Sequence, residues 1–299
     1  MSDIVIIGAG TAGLSAAIYV QRAGKSALVI EGANYGGQII GTSSIENYPG
    51  IKQISGFDFA TDLYNQAKDL GAQFAFEKVE KVEDLGDEKV VYTNKNEYHA
   101  KAVIIATGMI HRELGIDRDQ ELKGKGISFC ATCDGMFFKG KDVAVVGGGN
   151  VAIEDAEYLT RFCNRVYLIH RRDAFRADDA EVRKLDGRDN LVKVMNSTVT
   201  KLIGEDRLQA IEVVDKVTGE SKELSVDALF VAIGQIPSNQ IFENLVDLDN
   251  YGFIRTDENC KTSRKGIFAV GDCRAKTVRQ LTTAASDGAI AALNACNEM

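Results

Sequence analysis

The run Phe129-Cys130-Ala131-Thr132-Cys133-Asp134 places two thiols three positions apart, with a carboxylate directly after the second. Two kinds of chemistry use such a pair. Half of a zinc site is one, and it needs two further Cys or His ligands, usually at a similarly short spacing. The remaining cysteines (Cys163, Cys260, Cys273 and Cys296) are scattered, as are His99, His111 and His170. No spacing among them suggests a metal site, and none is expected. The other chemistry is a dithiol that opens and closes as a disulfide, for which a two-residue spacer permits a small ring and can lower the pKa of one thiol. Alone, the pair leaves both open, and the flanking sequence must decide.

A redox pair needs an electron source, and the chain carries two units that could supply one. Residues 4–7 form an apolar run that ends in Gly8-Ala9-Gly10-Thr11-Ala12-Gly13. A helical stretch from Leu14 to Ala23 follows, and Ala27-Leu28-Val29-Ile30 then leads to Glu31. Strand, glycine turn, helix, strand and acid together make a dinucleotide-binding unit. The glycines allow a tight turn and bring backbone amides to a pyrophosphate at the helix N-terminus, while the acid can accept bonds from ribose hydroxyls. The pattern recurs from Asp142 through Gly147-Gly148-Gly149-Asn150-Val151-Ala152 and a helix to about Arg161, ending at Arg165-Val166-Tyr167-Leu168-Ile169-His170. Glu31 stands 23 residues after Gly8, and His170 stands 23 after Gly147. Where the first unit has an acid, the second therefore has His170, followed by Arg171, Arg172 and Arg176. A basic cluster there removes repulsion and supplies donors for a phosphate on the ribose. Read as a solvated charged face, the arginines would have no reason to fall at that register. The first unit is thus expected to take a dinucleotide without a 2′-phosphate and the second NADPH. Electrons then pass between two cofactors, and FAD is the natural partner of NADPH.

The remaining segments complete this plan. Val103–Gly108 and Leu229–Gly234 read as late strands closing each unit, and Gly266–Asp272 as a further strand that delivers Asp272 to a turn. Alternating stretches in 70–100 and 193–227 read as antiparallel meanders. The expected fold class is α/β, with two Rossmann-like dinucleotide-binding domains of three layers, the NADPH domain inserted into the FAD domain. A chain of 299 residues, 45% hydrophobic, can bury the cores this requires. Its net charge of -8 argues against a nucleic-acid partner. No apolar run approaches a membrane span, and the N-terminus enters a strand without the features of a signal peptide. Six cysteines without a framework of spacings fit a reducing compartment, so a cytoplasmic protein is expected.

With these pieces assembled, the chain resembles the low-molecular-weight thioredoxin reductases of the bacterial type over essentially its whole length. The residues that carry the resemblance are Gly8–Gly13, Gly36-Gly37-Gln38, Glu46-Asn47-Tyr48-Pro49-Gly50, Ala106-Thr107-Gly108, Cys130–Gly135, Gly147–Asn150, His170–Arg176, Gly271-Asp272, and Arg279-Gln280 with Thr283-Ala284-Ala285. The position of the cysteine pair discriminates most. Larger glutathione-reductase-like flavoenzymes carry it soon after the first glycine turn, where Gly36–Gly50 here holds no cysteine. The length also leaves no room for the separate interface domain of those enzymes.

The resemblance implies FAD held by residues 1–111 and 242–299, and NADPH by residues 112–241. Gly8, Gly10, Thr11, Ala12 and Gly13 would face the FAD pyrophosphate and Glu31 its ribose. Gly37, Gln38 and Asn47 would hold the inner part of the cofactor, with Ala106, Thr107 and Gly108 closing the turn. Gly271 and Asp272 would meet the ribityl chain, and Arg279, Gln280 and Leu281 the isoalloxazine. NADPH would lie over Gly147, Gly148, Gly149 and Asn150, with His170, Arg171, Arg172 and Arg176 near the 2′-phosphate and Ile233 and Gly234 at the closing turn. Cys133 would be the sulfur nearer the flavin, Cys130 the one that attacks thioredoxin, and Asp134 a general acid or base, against the alternative of a helix cap or turn residue. A homodimer is implied too, as is a hinge near Thr107–Gly115 and Gly234–Ser238. One departure is Val151, where the family commonly has Ser. Two rival expectations keep the same dithiol: electron delivery to a peroxiredoxin- or glutaredoxin-like partner, and an NADPH-sensing flavoprotein without turnover. Buried packing thiols are expected at Cys163, Cys260, Cys273 and Cys296, and surface positions at His99 and His111.

Overall fold

The computed structural model describes residues 2–42 and 44–299. Its first strand, β1 (Ser2–Ile7), is apolar from Ile4 onward because both of its faces are covered. Side chains alternate across a strand, so Ile4 and Ile6 enter one core while Val5 and Ile7 enter another. After β1 come α1 (Thr11–Arg22), β2 (Ala27–Glu31), α2 (Gly56–Asp69) and β3 (Gln73–Phe76). The meander β4 (Val79–Asp84), β5 (Lys89–Thr93) and β6 (Glu97–Ile105) follows. The sheet runs β3-β2-β1-β6-β5-β4, parallel from β3 to β6 and antiparallel through the meander. Helix α2 starts where Ser55 accepts the Asp58 N–H, a side-chain cap that fixes its first turn.

A short strand, β7 (Met109–His111), leads into the second unit, His111–Gln235. There β8 (Ile127–Ser128), α3 (Ala131–Asp134), β9 (Asp142–Gly147), α4 (Asn150–Thr160), β10 (Arg165–Ile169), α5 (Asp179–Val182) and β11 (Leu191–Val194) precede a second meander. That meander is β12 (Ser197–Ile203), β13 (Ala210–Asp215) and β14 (Ser221–Ser225), and β15 (Ala228–Ala232) returns to the parallel sheet, whose order is β11-β10-β9-β15-β8. The period-two division repeats. Val143 and Val145 pack with Ile153, Ala156 and Leu159 of α4, and Ala144 and Val146 with Val199, Ile211 and Leu224 of the meander. Helix, parallel sheet and antiparallel meander are the three layers anticipated from the sequence.

The chain returns through β16 (Gln235–Pro237), which pairs with β7, to β17 (Ile267–Ala269) and α6 (Leu281–Asn297). Met1–Ile110 and Ile236–Met299 form the first unit, so both crossings fall inside the segments expected as pivots. The return precedes residue 242 because Asn239 is already anchored. Its amide donates to Gly252 O at 2.9 Å and Cys273 O at 2.8 Å, and Thr107 donates to its Oδ1 at 3.1 Å. Helix α6 packs on α1 through small residues: a Cβ at Gly288 would collide with Ala12 O, and Ser15 Oγ donates to Ala285 O at 2.7 Å. Among the described residues no helix is long and apolar enough to cross a membrane.

Candidate functional site

The first glycine turn is shaped by what surrounds each glycine. Gly8 has φ 110°, and a Cβ there would overlap Ala106 O, while one at Gly13 would overlap Gly8 O. These two allow β1, α1 and the Ala106-Thr107-Gly108 turn to close on one another. At Gly10 nothing lies within 4 Å of such a Cβ, so the middle of the turn faces open space. Thr11 and Ala12 begin α1, which has no side-chain cap and no acidic residue in its first turn, leaving its amides and dipole to an anion. The Gly36 N–H donates to Ala9 O at 2.7 Å, which docks the Gly37–Gly41 turn against this cradle, and the Gln38 amide donates to Met109 O. Glu31 accepts the Ala9 N–H on Oε2 at 2.8 Å and the Ala33 N–H on Oε1 at 2.9 Å. Each oxygen keeps acceptor capacity for a ribose hydroxyl.

At the other end of the first unit, Asp272 follows β17 with a buried Oδ1 that has no hydrogen-bond partner. Burial pushes its carboxyl upward from the ordinary range, and the Lys276 ammonium, 3.6 Å away, pulls only partly against that. Arg279 stacks 4.2 Å from the Phe253 ring centre with its Nε buried and unpaired. Gln280 and Thr283 form a capping box at the start of α6, before Leu281, and Asn47 donates to Gln280 Oε1 at 3.3 Å. An open glycine cradle at one end and orphaned polar atoms at the other fit a long ligand carrying phosphates and hydroxyls, as FAD does. The sequence reading missed what holds the Asp272 turn in place. Asp287, 4% exposed, accepts two bonds from Arg274 at 2.9 Å, one from Lys276 at 3.0 Å and the Gly271 N–H at 3.0 Å. Burial alone would raise its carboxyl, but these cationic donors outweigh burial and hold it below the ordinary value. A lone acid among small residues in a helix gives no signal of such a role, since its partners lie 11 and more positions away.

The second turn follows the same plan. A Cβ at Gly147 would overlap Ala232 O, and at Gly149 nothing lies within 4 Å. Asn150 and Asp178 exchange bonds at 2.9 and 3.0 Å, while Val151 is exposed on the first turn of α4, which has no side-chain cap. His170 is 5% exposed and lies beneath the turn: a Cβ at Gly148 would fall within its ring. Burial lowers its pKa, and its Nε2 has no partner. Arg171, Arg172 and Arg176 are exposed and form no ion pair among the described residues. The Arg176 and Ala177 N–H groups both donate to Gly148 O, so this cluster wraps the glycine turn. Ile233 and the exposed Gly234 follow β15. Unpaired cations beside an open turn suit a phosphorylated ribose.

Ahead of this turn, Cys130 and Cys133 form a disulfide with Cα atoms 5.4 Å apart. Cys130 caps α3, its Sγ accepting the Cys133 N–H at 3.2 Å, so a backbone donor already faces the sulfur that would carry charge on reduction. Cys133 is exposed and Cys130 half-buried. Asp134 ends α3 and stands at the N-cap position of the turn that follows, without a side-chain cap bond to it. Its Oδ2 accepts instead from Ser128 Oγ at 2.6 Å, and Ser128 Oγ accepts the Cys130 N–H at 3.1 Å. Ser128 was not singled out by the sequence. Cys163, Cys260 and Cys273 are buried thiols whose pKa values burial raises, to about 11 and about 12 for the first two. Cys296 is half-buried rather than buried. His99 bonds Glu88 at 2.9 Å on the meander. His111 departs from its expected surface position: it is half-buried, tilted against Phe129 with ring centres 5.2 Å apart, and burial lowers its pKa. Among the described residues no cluster could hold a metal ion.

Two nucleotide cradles and a reducible disulfide in one chain define a class, that of oxidoreductases joining a pyridine nucleotide to a sulfur–sulfur bond. Comparisons agree with this class and narrow it. The family described as pyridine nucleotide-disulphide oxidoreductase matches residues 2–288. The thioredoxin reductase of Bacillus subtilis is 42% identical over 291 residues, 97% of this chain and 92% of that protein. That of Mycoplasma genitalium is 43% identical over 293 residues, 97% of this chain and 93% of the relative. The solved thioredoxin reductase of Lactococcus lactis superposes with a TM-score of 0.89 at 38% identity, covering 100% of both chains. The chain belongs to the pyridine nucleotide-disulphide oxidoreductases and, within them, to the thioredoxin reductases.

Proposed function

We infer that this chain is an NADPH-dependent thioredoxin-disulfide reductase with FAD in the first unit, NADPH on the second, and the Cys130–Cys133 pair as the group that reduces the substrate. The observation that carries this reading is the position of the disulfide, at the start of α3 in the chain's second unit and ahead of a glycine turn ringed by unpaired arginines. When bound, the two cofactors supply an electron pair that reaches the chain's disulfide. Glu31 and the open turn at Gly10 orient the first nucleotide; Asp272, with Arg279 and Gln280, holds its far end. Arg171, Arg172 and Arg176 select a 2′-phosphate. Cys130 attacks the disulfide of thioredoxin and Cys133 resolves the mixed disulfide, while Asp134 carries the proton between thiol and leaving thiolate. A homodimer in the cytoplasm is proposed with it, from the resemblance and from the scattered reduced cysteines.

Stopped-flow mixing of the purified yellow protein with NADPH, and separately with NADH, tests the reading. Fast flavin bleaching by NADPH, consumption beyond what the flavin needs, and NADPH oxidation that requires added thioredoxin are expected. A colourless chain after reconstitution with FAD would overturn it.

A further inference from the structure

We infer that Ser128 is a positioning residue of the redox site, whose hydroxyl commits one oxygen of Asp134 and so fixes the other as the oxygen that exchanges protons with the cysteine pair. This rests on the proposed proton role of Asp134 and deepens it. Ser128 ends β8, 6% exposed, and its backbone is set in register with Phe230 of the parallel sheet. The side chain therefore projects from a strand paired into the sheet rather than from the loop it serves. Its hydroxyl oxygen accepts the Cys130 N–H at 3.1 Å, which orients the group. Its single proton has two acceptors in reach, Asp134 Oδ2 at 2.6 Å and Cys130 O at 3.3 Å. The carboxylate is both nearer and charged, so it takes the stronger bond.

The placement of these two residues matters as much as the distance. Ser128 precedes the first cysteine and Asp134 follows the second, so the bond closes a ring around both sulfurs without using either. When the sulfur–sulfur bond opens, the link that otherwise holds this short loop together is lost, yet the Ser128–Asp134 bond is not. The carboxylate then stays in place in both redox states. In the dithiol state Cys130 passes its proton to Asp134 and its sulfur attacks the acceptor disulfide; a mixed disulfide forms, the acceptor bond breaks, and the departing thiolate takes the proton back from Asp134. Cys133 next attacks the Cys130 sulfur, restoring the pair, and its proton goes to the second acceptor thiolate. Two electrons and two protons have then moved to the acceptor.

A serine that merely knots the loop would change stability and not pH dependence. The test is kcat/KM for a bacterial thioredoxin as a function of pH, with holoenzyme at saturating NADPH, for the wild-type chain, Ser128→Ala, Ser128→Thr and Asp134→Asn. Removing a donor from a carboxylate disfavours its charged form, and the lost bond corresponds to about tenfold in rate. The acidic limb of Ser128→Ala is thus expected at higher pH, with kcat/KM roughly tenfold lower on that limb, and Ser128→Thr should return it to the wild-type position. If the alanine chain does not fold, Ser128→Val, which has the shape of the threonine variant and strand preference without a hydroxyl, is read in the same way. An unmoved limb in the hydroxyl-free chain, or a threonine chain as impaired as alanine, overturns the inference while Asp134→Asn still lacks the limb. An Asp134→Asn chain that keeps the wild-type profile overturns the proton role of Asp134 and the inference together.

Discussion

The two glycine turns share one backbone plan and differ in how they treat the residue at the end of the second strand. In both, a carbonyl from the closing strand (Ala106 O or Ala232 O) occupies the place where the first glycine would carry a Cβ, and the middle glycine is open. In the first unit Glu31 reaches back and accepts the Ala9 N–H, so a methyl side chain at residue 9 is tolerated. In the second, His170 lays its ring over the corresponding residue, which has to be Gly148. The residue at the end of the second strand and the centre of the turn are therefore coupled choices. Burying a neutral imidazole also moves the charge outward, to three arginines that no carboxylate neutralises among the described residues. One turn offers an acceptor from within and the other offers donors from its rim.

The largest effect should come from removing that rim. Arg171→Ala with Arg172→Ala is expected to lower kcat/KM for NADPH by about 100- to 1,000-fold, from two charge-assisted bonds to phosphate, while leaving NADH turnover and flavin content unchanged. Steady-state kinetics with both nucleotides checks it, and equal losses for the two would erase the proposed contrast.

The next contrast concerns the acid on each packing helix. Asp287→Asn removes a buried anion from between Arg274 and Lys276, and about 3 kcal/mol of stability should go with it. Glu157→Gln on α4 should cost about 1 kcal/mol, because its partners Arg161 and Arg188 are 59% and 37% exposed at the side chain. Urea unfolding followed through flavin release and through far-UV signal separates the two. The sign with pH follows from the depressed Asp287 value: its contribution is present at neutral pH, above the unfolded carboxylate range, and is lost as pH falls through the lower folded value.

Gly148→Ala comes third. The added methyl meets the His170 ring, so roughly tenfold weaker NADPH binding is expected with the flavin retained, and a smaller residue at 170 should recover part of it. Ala9→Gly in the first turn should do little, and calorimetric titration with NADPH measures the difference. The smallest effect is a pH dependence. His170 has its pKa lowered by burial, so between that value and about 6.5 the unfolded chain binds the extra proton and acidification destabilises the second unit. His170→Asn should flatten this part of a Tm-against-pH curve by under about 1 kcal/mol.

The doubled plan was legible in the sequence because it is written in local signals. In each unit the apolar run, the glycines and the residue 23 positions beyond the first of them (Glu31 or His170) follow one another directly, over 2–31 and 142–170. The Cys130–Cys133 pair was legible for the same reason. What the sequence did not give away depends on long-range meeting. Ser128 looks like any strand-end serine until Asp134 is folded back onto it, and Asp287 needs Arg274, Lys276 and the Gly271 amide brought around one helix turn. His170 was read with the exposed arginines that follow it, yet strand alternation turns it inward and leaves them outside. The chain's return at Ile236 falls inside the Gly234–Ser238 segment expected as a pivot, and what the sequence did not display are the three bonds of Asn239 that anchor it there.

Strand β6 has nine residues and three neighbours: β1 along one edge, and on the other β5 beside its first half and β17 beside its second. Ile267, Phe268 and Ala269 thus join the second half of β6 in a sheet begun at Ser2. During synthesis the second unit, one continuous segment, can fold as it emerges, whereas the first waits with the second half of β6 unpaired on one edge until β17 arrives. Order of assembly on the ribosome is therefore imposed by topology, inner piece before outer, and a pulse-chase protease assay on stalled nascent chains would register protection in that sequence.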